Sequence, residues 1–175
     1  MPAADHLLVA VKDGAAFVRI EGRGTFKTSG SLKEFGNAML QGGCRELVLD
    51  LAECQGMDST FMGVIAGLCF RFGETNEVKL VMVNLSEKTG KLVKTLGLDQ
   101  LVETHLVDDL PEIYCQSLDA CDDMEKADAT EITQKEQAQI MLDAHENLAK
   151  LSPSNQTRFK DVLQYLKEEV KRPAQ

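Results

Sequence analysis

Short apolar runs alternate along the first two thirds of the chain with longer stretches whose apolar residues recur at helical spacing. The first two runs, residues 7–11 and 16–20, flank Asp13-Gly14, a dipeptide that tolerates the positive φ angles of a tight turn. They predict an antiparallel β-hairpin. Residues 46–51 and 78–85 are almost continuously apolar, which is typical of strands buried on both faces of a sheet.

The remaining periodicity predicts four helices and a further strand in this region. The first helix ends at Gly42-Gly43, where a C-terminal cap is expected, and follows a predicted loop at residues 22–30. The others are a helix over residues 59–74, a helix over 87–96, a strand around 101–107 and a helix that begins at 109–112. Strands that alternate with helices imply parallel neighbours joined by right-handed crossovers. The predicted fold class is α/β, with a mixed sheet that opens on an antiparallel hairpin.

The composition changes near residue 119. Seven acidic residues and two lysines occupy residues 119–136, and large apolar side chains are scarce. This is the composition of a solvated linker. The sequence therefore predicts an α/β domain over residues 1–122, an acidic linker over 123–132 and a separate element from 133 to 175.

The last segment contains two amphipathic helical patterns. Thr133 and Glu136 have the spacing of a capping box, and Ser152-Pro153 gives a second helix start. Together they predict a C-terminal helical hairpin. A short amphipathic helix needs a surface against which to bury its apolar stripe. That surface is the hairpin itself, the α/β domain, a second copy that would make a homodimer, or a partner, and the sequence does not choose among them.

The composition excludes several classes of function. A formal charge of −9 without a basic run disfavours nucleic acid, and the absence of Trp disfavours stacking on single strands. No stretch reaches the roughly 18 apolar residues that a membrane span needs, and the first residues lack the features of a secretion signal. Five cysteines without a CxxC pair indicate free thiols in a reducing compartment. We expect a cytoplasmic protein.

Candidate catalytic groups are few. His6, His105 and His145 lie in different predicted elements, with no cysteine or carboxylate at metal-ligand spacing. The sequence therefore predicts no enzyme, no metal and no cofactor. The loop residues Arg23, Gly24 and Thr25 are candidate contacts for a small ligand or nucleotide, although the third glycine of a dinucleotide-binding pattern is missing.

The remaining candidate is Ser59, at the predicted start of the second helix. A helix start carries unpaired N–H groups and a partial positive charge, and it holds a hydroxyl near the surface. Simple helix capping explains Asp and Ser at such a position equally well. The residue pattern alone leaves both interpretations open.

The order strand, short turn, Met57-Asp58-Ser59-Thr60 and apolar helix resembles the signature of STAS domains, specifically the bacterial anti-sigma factor antagonists. The resemblance covers about residues 6 to 120. It implies that an anti-sigma factor serine kinase binds the unmodified chain and releases it after phosphorylating Ser59, with Thr60 as the fallback acceptor. It also implies that a metal-dependent serine phosphatase reverses the modification. The implied partner-binding residues are Asp58, Ser59, Thr60, Phe61 and Met62.

The sequence departs from that family where Thr60, Phe61 and Met62 replace the usual Ser-Gly-Leu. The C-terminal hairpin has no counterpart in the minimal domain. These departures favour an alternative in which the chain is a STAS adaptor subunit without phosphorylation, for example in a lipid-transport complex. A small-ligand binder that uses residues 22–30 is the third hypothesis.

Overall fold

A seven-stranded mixed sheet lies at the centre of the protein, in the order β6-β5-β3-β2-β1-β7, with β4 paired to the end of β2. The computed structural model describes residues 4–75, 78–121, 123–128 and 131–173. The strands are β1 (His6–Lys12), β2 (Ala15–Gly24), β3 (Glu46–Asp50), β4 (Cys54–Met57), β5 (Lys79–Leu85), β6 (Glu103–Leu106) and β7 (Glu125–Lys126).

The predicted hairpin and parallel units are confirmed. β1 and β2 are antiparallel around Asp13 and Gly14, whose φ angles of 54° and 79° are those the turn requires. β2, β3, β5 and β6 are mutually parallel in that spatial order. β3 and β5 carry apolar residues on both faces because helices cover both sides of the sheet.

Seven α-helices surround the sheet in the described residues. They are α1 (Phe26–Gln41), α2 (Ser59–Thr75), α3 (Glu87–Thr95), α4 (Glu112–Asp119), α5 (Gln134–Ala149), α6 (Pro153–Arg158) and α7 (Lys160–Lys171). Short 3-10 turns lie at Leu98–Gln100 and Val107–Asp109. None of the described helices has the length and apolar character that a membrane crossing requires.

The helices divide between two faces of the sheet. One, which we call the α2 face, packs against α1, α2, α3 and α5 and holds the larger buried cluster, including Ile20, Leu49 and Met82. The other, the α4 face, is covered by α4 and centres on Val48 and Val81. The C-terminal helices thus join the core of the α/β fold: Ala144 and Leu148 of α5 are 1% and 0% exposed.

The predicted loop at residues 22–30 does not form. β2 continues to Gly24, and α1 begins at Phe26, because Thr25 and Thr28 make a reciprocal capping box at the helix start. The expected turn before α2 likewise contains a strand, β4, which pairs in parallel with residues 22–24. Candidate ligand contacts Arg23, Gly24 and Thr25 therefore lie in a paired strand and a helix cap.

The segment predicted as a linker contacts the sheet. Glu125 and Lys126 pair with β1, and the backbone N–H of Ala127 donates to the carbonyl oxygen of Leu7 at 2.9 Å. The predicted boundary at residue 122 itself lies outside the described residues. Further on, the second helix of the predicted hairpin is interrupted at Phe159, which separates α6 from α7.

Candidate functional site

The start of α2 is fixed to the end of β2. The chain leaves β3, forms β4 alongside residues 22–24 of β2, and enters α2 at Ser59. The backbone N–H of Asp58 donates to the carbonyl oxygen of Gly24 at 2.9 Å. Ser59 is therefore held at a defined place on the C-terminal edge of the sheet, where α1 and α2 both begin.

Asp58 caps α2 and ties it to α1. Its Oδ1 accepts a hydrogen bond from the backbone N–H of Phe61 at 2.8 Å, and its Oδ2 accepts one from the backbone N–H of Phe26, also at 2.8 Å. One carboxylate thus satisfies N–H groups at the starts of two helices. This is the capping role that the residue pattern left open, and it fixes the carboxylate of the residue directly before Ser59.

The three residues after Ser59 lie in the core. Thr60, Phe61 and Met62 are 3%, 0% and 4% exposed. The Phe61 ring lies against Gly24, where even a Cβ atom would come within 2.7 Å of the ring. These burials leave no side-chain surface for a partner at the three positions, and Thr60 is a poorly placed fallback acceptor. The exposed part of the predicted site is reduced to Asp58 and Ser59, both half-buried.

Ser59 is hydrogen-bonded to a residue of the C-terminal helices. Its Oγ lies 2.9 Å from Nε2 of His145 on α5. Nδ1 of the same ring is 2.7 Å from the carbonyl oxygen of Met141, so Nδ1 carries a proton and donates to that oxygen. In the neutral imidazole Nε2 then accepts the hydrogen bond from the Ser59 hydroxyl. His145 is 3% exposed and packs edge-on against the Phe159 ring, with centroids 5.1 Å apart.

α5 crosses α2 closely enough to exclude side chains. Ser59, Gly63 and Gly67 follow one another at four-residue spacing and so share one side of α2. A Cβ atom on Gly63 would overlap the carbonyl oxygen of Ala144, and one on Gly67 would come within 2.5 Å of Nδ2 of Asn147. Glycine at these positions allows α5 to lie against the α2 backbone.

A backbone carbonyl, and not the neighbouring Asp58 carboxylate, orients the histidine of the Ser59–His145 pair. A serine nucleophile needs a base that a third group orients and donors for the developing oxyanion. Here the group that orients His145 is a backbone carbonyl, and the Asp58 carboxylate is engaged by two backbone amides. Among the described residues, no group of three or more His, Cys, Asp or Glu side chains could hold a metal ion. The arrangement positions the Ser59 hydroxyl against the His145 ring.

Sequence reasoning missed His145. It treated the three histidines as isolated. His6 lies 2.9 Å from the Glu21 carboxylate and His105 lies 2.8 Å from the Glu103 carboxylate, both away from Ser59. His145 lies 86 residues from Ser59 in the sequence. The available signal was its position directly after Ala144, beside the apolar stripe of a helix with no assigned partner.

A family model and several solved structures are similar to this chain. The family model described as "Mlab, STAS domain" matches residues 7–104. The matched segment ends within β6, so α4 to α7 lie outside it. None of the curated proteins compared with the chain matches it.

Similar folds occur in solved anti-sigma factor antagonists. The protein from Mycobacterium paratuberculosis is 22% identical with a TM-score of 0.54, over 70% of this chain and 98% of its own. A putative antagonist from Thermotoga maritima is 16% identical with a TM-score of 0.54, over 63% and 92%. Unphosphorylated SpoIIAA is 18% identical with a TM-score of 0.50, over 67% and 99%. At these identities the likeness concerns the fold.

Proposed function

This chain belongs to the STAS domain family, and we propose that it is a non-catalytic anti-sigma factor antagonist that acts by partner switching. It binds an anti-sigma factor serine kinase when Ser59 is unmodified and releases it when Ser59 is phosphorylated. A metal-dependent phosphatase restores the first state. The observation that carries the proposal is the half-buried hydroxyl of Ser59 at the start of α2, directly after the capping Asp58.

Phosphorylation at this position acts through charge. A phosphoryl group adds about −1.5 to −2 charges at neutral pH. The amide of Phe61 is already occupied by Asp58, and the amide of Met62 donates to the Asp58 carbonyl. The new charge therefore lies beside the Asp58 carboxylate, and like-charge repulsion opposes any partner that covers both residues.

Phosphorylation in vitro tests the proposal. The full chain is incubated with its cognate serine kinase and ATP, and phosphate is located by peptide mass spectrometry. We expect one phosphate on Ser59, none in Ser59→Ala, and retention in Thr60→Val, because Thr60 is buried. If Ser59→Ala still accepted phosphate, Ser59 would be abandoned as the site. Binding provides the second readout: Ser59→Asp should weaken the kinase complex by about a hundredfold, or roughly 2.7 kcal/mol.

A second candidate is a STAS adaptor subunit that is never phosphorylated, such as an accessory protein of a lipid transporter. Two observations favour it: the description of the matching family model, and the engagement of Ser59 by a buried histidine. Purification of the native complex separates the two functions. A transporter ATPase that co-purifies equally with the wild type and Ser59→Asp would support the adaptor and contradict partner switching.

A further inference from the structure

The C-terminal helix α5 lies on the part of α2 that the proposed function needs. Ser59, Gly63 and Gly67, which we call the α2 stripe, contact His145, Ala144 and Asn147 of α5. We propose that α5 is an intramolecular cover: it occupies, within the same chain, the surface that a protein partner would contact, and a kinase reaches Ser59 only when α5 moves away. The cover is a property of the fold, but its role as a regulator of phosphorylation rests on the proposed function.

The contacts show why access and docking exclude each other. His145 is at hydrogen-bond distance from the Ser59 hydroxyl and is almost completely buried. A phosphoryl group on Oγ needs several ångströms of space that the ring now occupies. Phosphorylation and the docked position of α5 are therefore mutually exclusive, so α5 competes with the kinase.

The hydrogen bonds at the edges of this interface are long. The amide Nδ2 of Asn147 donates to the carbonyl oxygen of Gly63 at 3.4 Å, and Nε2 of Gln137 donates to that of Phe26 at 3.3 Å. The ion pair of Lys33 with Asp143 spans 3.7 Å between half-exposed side chains. Bonds of this length contribute little. The docking of α5 thus depends mainly on close backbone packing at the glycines and on the apolar contacts below it.

The partner that fits the uncovered stripe is a protein that presents a helix with small side chains. Only such an element can approach a stripe without side chains as closely as Ala144 does. The partner's helix would resemble α5, in which the small side chain of Ala144 lies between Asp143 and His145. The kinase of the proposed function would meet this requirement by inserting a helix in place of α5.

The glycines provide a matched pair of variants. Gly63→Ala places a methyl group against the Ala144 carbonyl, whereas Gly73→Ala on the same helix meets no atom within 4 Å. Both changes raise the helix propensity of α2 equally. A difference in labelling rate between the two variants is therefore due to the α2–α5 interface and not to the stability of the α2 helix.

Thiol labelling measures the cover without any kinase. Ser59→Cys is combined with each glycine variant in the full chain, and the reaction of position 59 with N-ethylmaleimide is followed by peptide mass spectrometry. We expect labelling at least about tenfold faster with Gly63→Ala than with Gly73→Ala, since overpacking shifts the docking equilibrium. Cys69, on the opposite side of α2, is the internal control for unfolding: it is partly buried and burial raises its pKa to about 12, so it reacts slowly while the fold persists.

Equal labelling of position 59 in the two glycine variants would overturn the cover. If Gly63→Ala unfolds the chain, seen as rapid labelling of Cys69, His145→Ala takes its place, and unchanged labelling at position 59 in that variant overturns the proposal in the same way. The kinase arm is read separately. Faster labelling without phosphate on Ser59 in any variant would reject the proposed function and leave the cover standing.

Discussion

The two faces of the sheet are stabilised by different means. The α2 face is closely packed: its helices approach over glycines, and it holds the larger of the two apolar clusters. The α4 face has a single helix, and a polar network continues its small apolar cluster. The candidate site therefore lies on the face that is stabilised mainly by close packing, whereas interactions between charged groups contribute more on the α4 face.

The polar network of the α4 face surrounds Tyr114. Its hydroxyl accepts from Nζ of Lys79 at 3.2 Å and lies 3.2 Å from a carboxylate oxygen of Glu46, and Lys79 pairs with Glu103 at 3.1 Å. The hydrogen bond that Lys79 donates to Tyr114 raises the pKa of Lys79, and burial raises the pKa of Tyr114. Hydrogen bonds from His105 and Lys79 lower the pKa of Glu103. Lys79 and Glu103 thus stabilise each other's charged forms near the surface, whereas burial favours the neutral form of Tyr114.

The largest effect is expected where volume is removed from the α2 face. Phe61→Ala leaves a cavity beside Gly24 and should lower the free energy of unfolding by about 3 to 5 kcal/mol. Phe26→Ala is the matched control, because that ring is 42% exposed, and it should cost about 0.5 kcal/mol or less. Urea denaturation measures both. Similar losses in the two variants would contradict the contrast in packing.

An intermediate effect is expected at the anchor of the C-terminal helices. The side-chain amide of Asn155, fully buried, donates to the carbonyl oxygens of Leu96 at 2.9 Å and Leu148 at 2.8 Å. Asn155→Ala leaves both acceptors without this donor and should cost about 1 to 3 kcal/mol. Hydrogen exchange of α5 should quicken in step. The exposed neighbour Gln156→Ala should change neither quantity, and an equal loss in both variants would remove Asn155 as an anchor.

The smallest effect is expected on the α4 face, and it depends on pH. Because the pKa of Glu103 is lowered in the folded state, its contribution to stability is present above its unfolded value of about 4.3 and disappears as the pH falls through the folded value. His105→Ala should raise the pKa of Glu103 toward its ordinary value. NMR titration of the Glu103 carboxyl measures this, and His6→Ala, which acts on the separate pair with Glu21, should leave it unchanged.

Local signals in the sequence were sufficient for most of the sheet. Asp13-Gly14 defined the first hairpin, and the apolar runs identified β3 and β5 because strands covered on both faces need such runs. β4 was not predicted because residues 54–57 do not alternate between apolar and polar side chains and include Gly56. The start of α1 was not predicted because Thr28 occupies the capping-box position at which Glu or Gln is usual.

The candidate site was predictable only in part, for a different reason. The position of Ser59 at a helix start follows from local periodicity, as does the capping role of Asp58. The burial of Phe61 and the hydrogen bond between Ser59 and His145 are tertiary contacts, which no local pattern contains. The C-terminal helix was predicted to need a surface for its apolar stripe, but only the folded chain shows that α2, with Gly63 and Gly67, provides it.

The pairing of β7 with β1 has a consequence for competition. It fixes the chain to the edge of the sheet at Lys126, and α5 begins close by in the sequence, at Gln134. A helix on so short a tether acts at an effective concentration on the order of millimolar. A free partner present at micromolar concentration must therefore bind the α2 stripe about a thousandfold more tightly than α5 does in order to displace half of it. The short strand β7 thus determines how tightly a partner must bind the α2 stripe in order to reach Ser59.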